Sequence, residues 1–529
     1  MTSLNAKRLL STLALTTALV AGAASAQEIT LVREFDTPNY DPHKQTAQAT
    51  AEIVFMLADT LVSLDPDMKT LRPGLAKSWE MSEDGLTYTF KLRDDVTFCD
   101  GKKFTAKDAA FSLNRLVDKE TKSPVAWRAG QVDSIEAVDD TTLVYKLKAP
   151  FSELLYQLTQ SFTVIIDEEN VKALGENFGI AGLNGTGPFC WGEWTPRDKM
   201  VLNRNDNYKW GPDFYANQGP AKVEKVTWQI VPEGNTRAVA LMTGQADATY
   251  YAPYFALSQF RSTPGFRVQK AEIAPWLNYF GFKVDKPTVS DPAVRKAMYM
   301  AFNTQALIED QFFGELIAAR HYVEPTVQGF PADLEEKMPK YDVEGAKKVL
   351  EDAGWKVGAD GIREKDGVKL QPLMYIMNGP TYQLPAEFLQ GEMRKIGIDI
   401  QIQSFDATVG WGKYATQEFD MFAMGFPYLS MGDALNLYFP STNIPSPNRM
   451  NWKSDETDAL LAAGKAALTP EARDEAYAKA LTIVQENYTW LPYYSMPSTV
   501  VMSEKWKEIT PHSIYGAVFY KGLDIEPAN

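Results

Sequence analysis

Residues 75–108 constrain the fold more than any other stretch. Leu86, Tyr88, Phe90 and Leu92 alternate with Thr87, Thr89, Lys91 and Arg93. A period of two sends successive side chains to opposite faces, so this is a half-buried strand with one face on a core. Asp84-Gly85 marks a turn just before it, and Asp100-Gly101 closes a second short apolar run over 96–98.

Near the start, Lys7-Arg8 precedes an apolar run over 9–20, and Ala24-Ser25-Ala26 supplies small residues where a signal peptidase reads. This pattern predicts a secretory signal peptide over residues 1–26, cleaved before Gln27. The run is too short to cross about 30 Å of hydrocarbon, and no cysteine stands at the cleavage point to take a lipid. The mature chain is expected to be soluble outside the cytoplasm, in a periplasm. No later run of 18 apolar residues follows, so no membrane insertion is expected.

Loss of Lys7 and Arg8 with the signal takes 53 basic residues to 51 against 68 acidic ones, and the net charge from −15 to −17. Such a surface repels nucleic acid. A chain of 529 residues exceeds what one core holds, and its 45% hydrophobic and 12% aromatic content supplies more than one core. The two cysteines, Cys99 and Cys190, read first as a disulfide in an oxidising compartment, two unlinked thiols being the alternative.

Catalysis leaves little trace. The three histidines, His43, His321 and His512, are far apart, and no H-x-x-x-H, G-x-S-x-G or Walker-type loop occurs. Carboxylates are plentiful, so an acid–base hydrolase stays open as the alternative class. No catalytic residue, metal or cofactor is expected.

The order of elements over residues 75–108 resembles the bacterial extracellular solute-binding proteins of the peptide, nickel and opine class, family 5. The matching residues are Leu75-Ala76, Ser78-Trp79, Asp84-Gly85, Tyr88, Phe90, Leu92-Arg93, Phe98, Asp100-Gly101, Ala106 and Asp108. Gly185-Thr186-Gly187-Pro188-Phe189 with Trp194 and Arg204-Asn205 is a second match. Arg237 to Asp247 is a third, and Pro292, Val294-Arg295, Ala297 and Ala301-Phe302-Asn303 a fourth.

Residue patterns outline the second half. Asp291-Pro292 starts a helix as N-cap and N1. Ala346, Val349, Leu350 and Ala353 form a helical face stopped by Gly354, and Leu389, Met393 and Ile396 another, leading into alternating Ile398, Ile400 and Ile402. Helix–strand alternation of this kind means α/β. Residues 49–62 read as a helix, and 491–501 as a strand-like return to the first lobe.

The resemblance implies a two-lobe α/β clamshell with an extra subdomain and a two-crossover hinge, the crossovers near 280–283 and 491–497. The lobes would be 27–281, with the subdomain over about 66–185 and completed by 492–529, and 282–491. It further implies capture of a small organic solute, peptide or peptide-like, and delivery to an inner-membrane ABC permease by a monomer. An opine or oligosaccharide is the alternative solute, and chemoreception a second role. It also places Cys99 and Cys190 in neighbouring parts of one lobe.

A mostly apolar cleft with a few directed polar groups is expected. The candidate contacts are Asn39 in the loop after the first strand, Tyr251, Tyr254, Trp276, Tyr279, Tyr428, Asp433, Arg449 and Trp452. Dipeptide-binding members carry an Asp for the α-amino group, where this chain has Leu429, and an Arg for the α-carboxylate, near 376–378, where this chain has none. Plain dipeptides are therefore expected to bind poorly.

Overall fold

The computed structural model describes residues 27–250 and 252–528. The signal peptide expected over 1–26 and the candidate Tyr251 lie outside the described residues.

The opening alternation is a strand, Thr87–Leu92, with Tyr88, Phe90 and Leu92 buried and the residues between them turned outward. Gly85 has φ 68° in the turn before it, a conformation that favours glycine. The Asp84 side chain accepts the Leu86 N–H there at 3.0 Å. This strand sits in a four-stranded antiparallel sheet ordered Ala76–Met81, Thr87–Leu92, Thr142–Leu147, Val132–Asp139. The amphipathic helix Ala106–Val117 packs on it, opened by a Thr105–Asp108 capping box.

Two larger sheets make the two lobes. The first has seven strands in the order Phe266–Lys270, Thr499–Ser503, Ala248–Thr249, Glu28–Arg33, Lys225–Ile230, Lys199–Arg204, Phe189–Thr195. Its central strand Glu28–Arg33 runs parallel to both neighbours. The second has six, ordered Ile317–Ala318, Trp490–Met496, Trp276–Phe282, Met421–Pro427, Leu373–Met377, Gln401–Phe405. Each sheet lies in its own large apolar core.

The strands Trp276–Phe282 and Trp490–Met496 pair with each other and both belong to the second sheet. The chain therefore passes between lobes at 271–275, upstream of the expected 280–283, and at 497–498, at the end of the expected 491–497. The reason is local. Ala271 still bonds to Ser498 from the first sheet, and Pro497, which has no N–H, breaks what reads in sequence as one long strand.

Several local expectations match what folds. Asp291 caps the helix Pro292–Ala301, its Oδ1 accepting the Ala293 N–H at 2.9 Å. The helix Val343–Asp352 is followed by Gly354 at φ 87°. Two elements differ. The helix expected over 49–62 is Gln48–Leu57, because residues beyond Ala58 turn extended into the strand Val62–Leu64. The strand expected from Ile398 is Gln401–Phe405, because the Ile398 N–H still bonds to Met393 at the end of the helix Pro380–Arg394.

Cys99 and Cys190 form a disulfide, their Cα atoms 5.8 Å apart. The pairing follows from packing: the Cys99 N–H bonds to Gly185 O, just upstream of the strand carrying Cys190.

Candidate functional site

The lobes meet along a seam built from side chains far apart in sequence. Arg128, in the short 3₁₀ turn Ala126–Ala129 of the first lobe, donates to Asp433 at 2.6 Å. Asp433 lies in the first turn of the helix Met431–Tyr438 in the second lobe. Gln157 joins both, accepting from Arg128 at 2.9 Å and donating to Asp433 at 3.2 Å. Both charged side chains are buried, so the pair is a strong interlobe contact only while both partners remain.

Beside it, Ser430 caps the same helix by accepting the Asp433 N–H at 3.0 Å, and its hydroxyl donates to Glu153 of the first lobe. Burial pushes the Glu153 carboxyl up to about 7, against the charge of Arg473, whose Nε is 3.9 Å away. Ser152 completes the strip, its N–H bonding to Lys465 O at 2.9 Å and its Oγ to Gly464 O at 2.8 Å. The space left along this strip is about 20 Å³, room for a water and nothing larger.

A second contact lies by the hinge. Glu315 of the second lobe takes both Arg261 and Lys270 of the first, Lys270 Nζ at 2.7 Å. Tyr254 packs its ring edge-on to Phe312 across the same boundary, centroids 5.6 Å apart. Tyr254 thus joins the lobes at the hinge side.

The other expected residues separate into groups. Asn39 shapes its own loop: its Oδ1 accepts the Asp41 N–H at 3.0 Å, and its carbonyl accepts from Thr37 at 2.9 Å. Burial would raise the neighbouring Asp41 carboxyl, but hydrogen bonds from Arg115 hold it below its usual value. Tyr279 is not a surface contact. It is wholly buried and stacked on Trp490 at 3.8 Å, because its strand is paired on both edges and is buried on both faces after its first residue. Tyr428 is also structural, accepting the Glu324 N–H at 2.6 Å. Asp433 is spent on Arg128.

Trp276, Arg449 and Trp452 remain, and they are not gathered at one end of the sheet: Trp276 opens its strand, whereas Met450 and Asn451, between Arg449 and Trp452, bond to Val284 and Asp285 just past that strand's other end. Trp276 begins its strand half-buried, opposite Pro427. A Cβ on Gly425 would come within 2.5 Å of Asn278 Oδ1 and 2.8 Å of Trp276 Nε1, so only glycine lets these two polar groups meet the backbone there. Asn278 is fully buried, and neither of its side-chain polar atoms has a hydrogen-bond partner. Trp452 Nε1 is buried without a partner too, its loop closed by two bonds with Asn448.

Sequence reasoning missed Arg128, Gln157, Glu153, Tyr438 and Trp411. Trp127-Arg128, an aromatic–cation pair in a loop, was the one available signal. Arg128 lies 4.6 Å from the Trp127 ring centroid.

The histidines are dispersed. Burial holds His43 at about 3 and His512 at about 4, and His321 bonds to Glu335 and Gln485. Among the described residues no group of three His, Cys, Asp or Glu side chains is placed to hold a metal ion.

Two lobes, each around its own sheet, joined by two crossovers and touching through buried polar pairs, define a clamshell solute-binding protein. The chain belongs to the bacterial extracellular solute-binding proteins, family 5, whose model matches residues 70–445. It is 32% identical over 405 residues to the nickel-binding periplasmic protein of Escherichia coli K12, covering 75% of this chain and 74% of that one. It is 28% identical over 496 residues to the glutathione-binding protein GsiB of the same strain, covering 91% of each. Among solved structures, NikA from Brucella suis in complex with Fe(III)-EDTA superposes with a TM-score of 0.83 at 25% identity, over 94% of this chain and 99% of that one. DppA from Helicobacter pylori with the peptide STSA gives 0.77 at 25%, over 95% and 99%.

Proposed function

We propose that this protein is the periplasmic substrate-binding component of an ABC importer. It captures a small organic solute, peptide or peptide-like, between its lobes and hands it to an inner-membrane permease as a monomer. The single observation that carries this reading is the buried interlobe pair Arg128–Asp433 on a two-crossover build. A contact of that kind exists only when the lobes are together, so it favours the same closed arrangement that a solute held between the lobes would favour. The mechanism is binding, closure, docking and release, with no bond made or broken in the solute. The relatives' names, nickel, glutathione and peptide, span the solute classes such a cleft takes.

A free dipeptide fits poorly. The position where dipeptide binders carry the amino-binding Asp holds the buried Leu429, and Asp433 is already neutralised by Arg128. A longer peptide or a sugar-containing conjugate suits the half-buried Trp276 and Trp452 better.

Mass spectrometry of whatever co-purifies, followed by a thermal-shift screen of peptides, opines and oligosaccharides, tests this. A true solute binds only the folded protein and raises the melting temperature with concentration. Trp276→Ala should weaken the best hit by at least ~1 kcal/mol with the fold intact. Loss of uptake of that solute on deletion of the gene separates transport from chemoreception. Measurable turnover of a peptide or glycoside by the pure protein would replace the whole reading with the hydrolase.

A further inference from the structure

Arg449 stands apart from the other buried cations of the molecule. Its side chain is half-buried, and its Nε is shielded from water without a hydrogen-bond partner. Among the described residues no carboxylate pairs with it. It touches Met424 Sδ, 3.9 Å from Nη1, and the Trp411 ring, whose centroid is 5.6 Å from the guanidinium carbon. A cation–π contact on a ring that is 57% exposed contributes less than an unpaired buried guanidinium N–H costs. The fold alone gives this charge no reason to be there.

Its surroundings are suited to an anion. The guanidinium is within electrostatic reach of the phenols of Tyr279, Tyr414 and Tyr438, all neutral. Tyr438 is in turn within reach of Arg128 and Tyr515 from the first lobe, which places Arg449 by the interlobe boundary. Asp433, the acid that acts on Tyr438 from that side, is already bonded to Arg128. One positive charge is therefore left uncompensated at the boundary, in a chain whose net charge is −15.

We propose that Arg449 is the anion-recognition residue of the cleft: its guanidinium takes a carboxylate of the solute, and the exposed face of Trp411 carries the flat or apolar part beside that carboxylate. A planar fork of N–H groups matches a carboxylate with two parallel bonds, which an ammonium cannot do. The solute class is thus a carboxylate-bearing organic molecule with one unbalanced negative charge at that end. This rests on the reading of the protein as a solute binder.

The test uses matched probes on the full mature protein. Glutathione, a tetrapeptide and the solute released from the purified protein are each presented as free acid and with the carboxylate amidated. The proposal expects at least one free acid to bind wild type about tenfold or more tighter than its amide by calorimetry. Arg449→Gln should erase that preference, bringing acid and amide level, while its ligand-free melting temperature stays at the wild-type value. Arg449→Lys keeps the charge and loses the fork, so its preference should fall between the two. That variant carries the test if Arg449→Gln does not fold. Trp411→Ala should weaken acid and amide alike, leaving the preference intact.

Acid and amide binding equally to wild type, or Arg449→Gln retaining the full preference, overturns the role of Arg449 and leaves the solute-binding reading standing. If the protein releases no solute and no probe raises its melting temperature, the solute-binding reading falls, and this inference with it.

Discussion

Lys521 in the first lobe and Arg449 in the second are both partly or wholly buried cations, and they differ in every other respect. Lys521 Nζ lies 2.7 Å from Asp59 Oδ1 and donates to Ala58 O at 2.7 Å. Asp59 Oδ2 in turn accepts from Trp210 at 3.0 Å and Thr186 at 3.1 Å. That charge is closed within the fold. The first lobe is also cross-linked by its disulfide. The second lobe is held by an aromatic stack, with Tyr279, Tyr322, Tyr438 and Phe439 around Trp490, and leaves Arg449 open. Paired charge belongs to the scaffold, and unpaired charge at a boundary belongs to what binds there.

The largest expected effect tests the scaffold side. Replacing Cys99 and Cys190 together by serine should cost roughly 4–5 kcal/mol in denaturant unfolding, since the bond closes a long loop. Reduction of the wild-type protein should shift the same transition. An unmoved transition would remove the disulfide from what distinguishes the first lobe.

Asp59→Ala strands Lys521 in the interior and should cost about 3–5 kcal/mol, read from the same curves. Solute affinity, measured where the variant is still folded, should be nearly unchanged. A large affinity loss would mean that the two cations are not separable as argued.

Asp433→Asn breaks the buried interlobe pair without touching either core. Its cost, roughly 3 kcal/mol, should fall on lobe closure rather than on unfolding. Small-angle scattering with solute should show a more open particle than wild type, and a compact one would show that the seam does not control closure.

Glu153→Gln should act in the opposite direction and depend on pH. The folded carboxyl is raised by burial to about 7, above its ordinary value of 4.5. Its contribution to stability is therefore full below about 4.5 and is lost as pH rises through about 7. The groups facing it are Arg473, Asp433 and Asp474. Above pH 7 the glutamine variant should be more stable by roughly 1–3 kcal/mol, and near pH 4 the two should coincide. Melting curves across that range decide it.

The smallest effect is the sharpest. Arg449→Gln should change the unfolding free energy by less than about 1 kcal/mol, because no carboxylate partner is lost and only the weak contacts with Met424 and the exposed Trp411 ring go with it. A loss as large as that of Asp59→Ala would show that Arg449 is structural after all.

What the sequence determined by itself is what local rules carry. Period-two alternation set Thr87–Leu92, Asp291-Pro292 set a helix start, and the glycine after residue 353 set a helix end. Residue-by-residue likeness then carried the family, the two lobes and the pairing of Cys99 with Cys190. The first crossover was misplaced by several residues because an apolar strand reads the same whichever sheet it joins. Only hydrogen bonding to Met421–Pro427 and Trp490–Met496 assigns Trp276–Phe282.

Tertiary structure alone decided which site residues are free. Tyr279 and Trp276 are three apart on one strand, yet the first lies inside a strand buried on both faces, and the second, at its opening residue, is half-exposed. Arg128 and Asp433 are 305 residues apart, and nothing local to either announces the other. A partner far along the chain changes a charge from a ligand group to a strut. That distinction is a property of distance in space, which one-dimensional pattern does not hold.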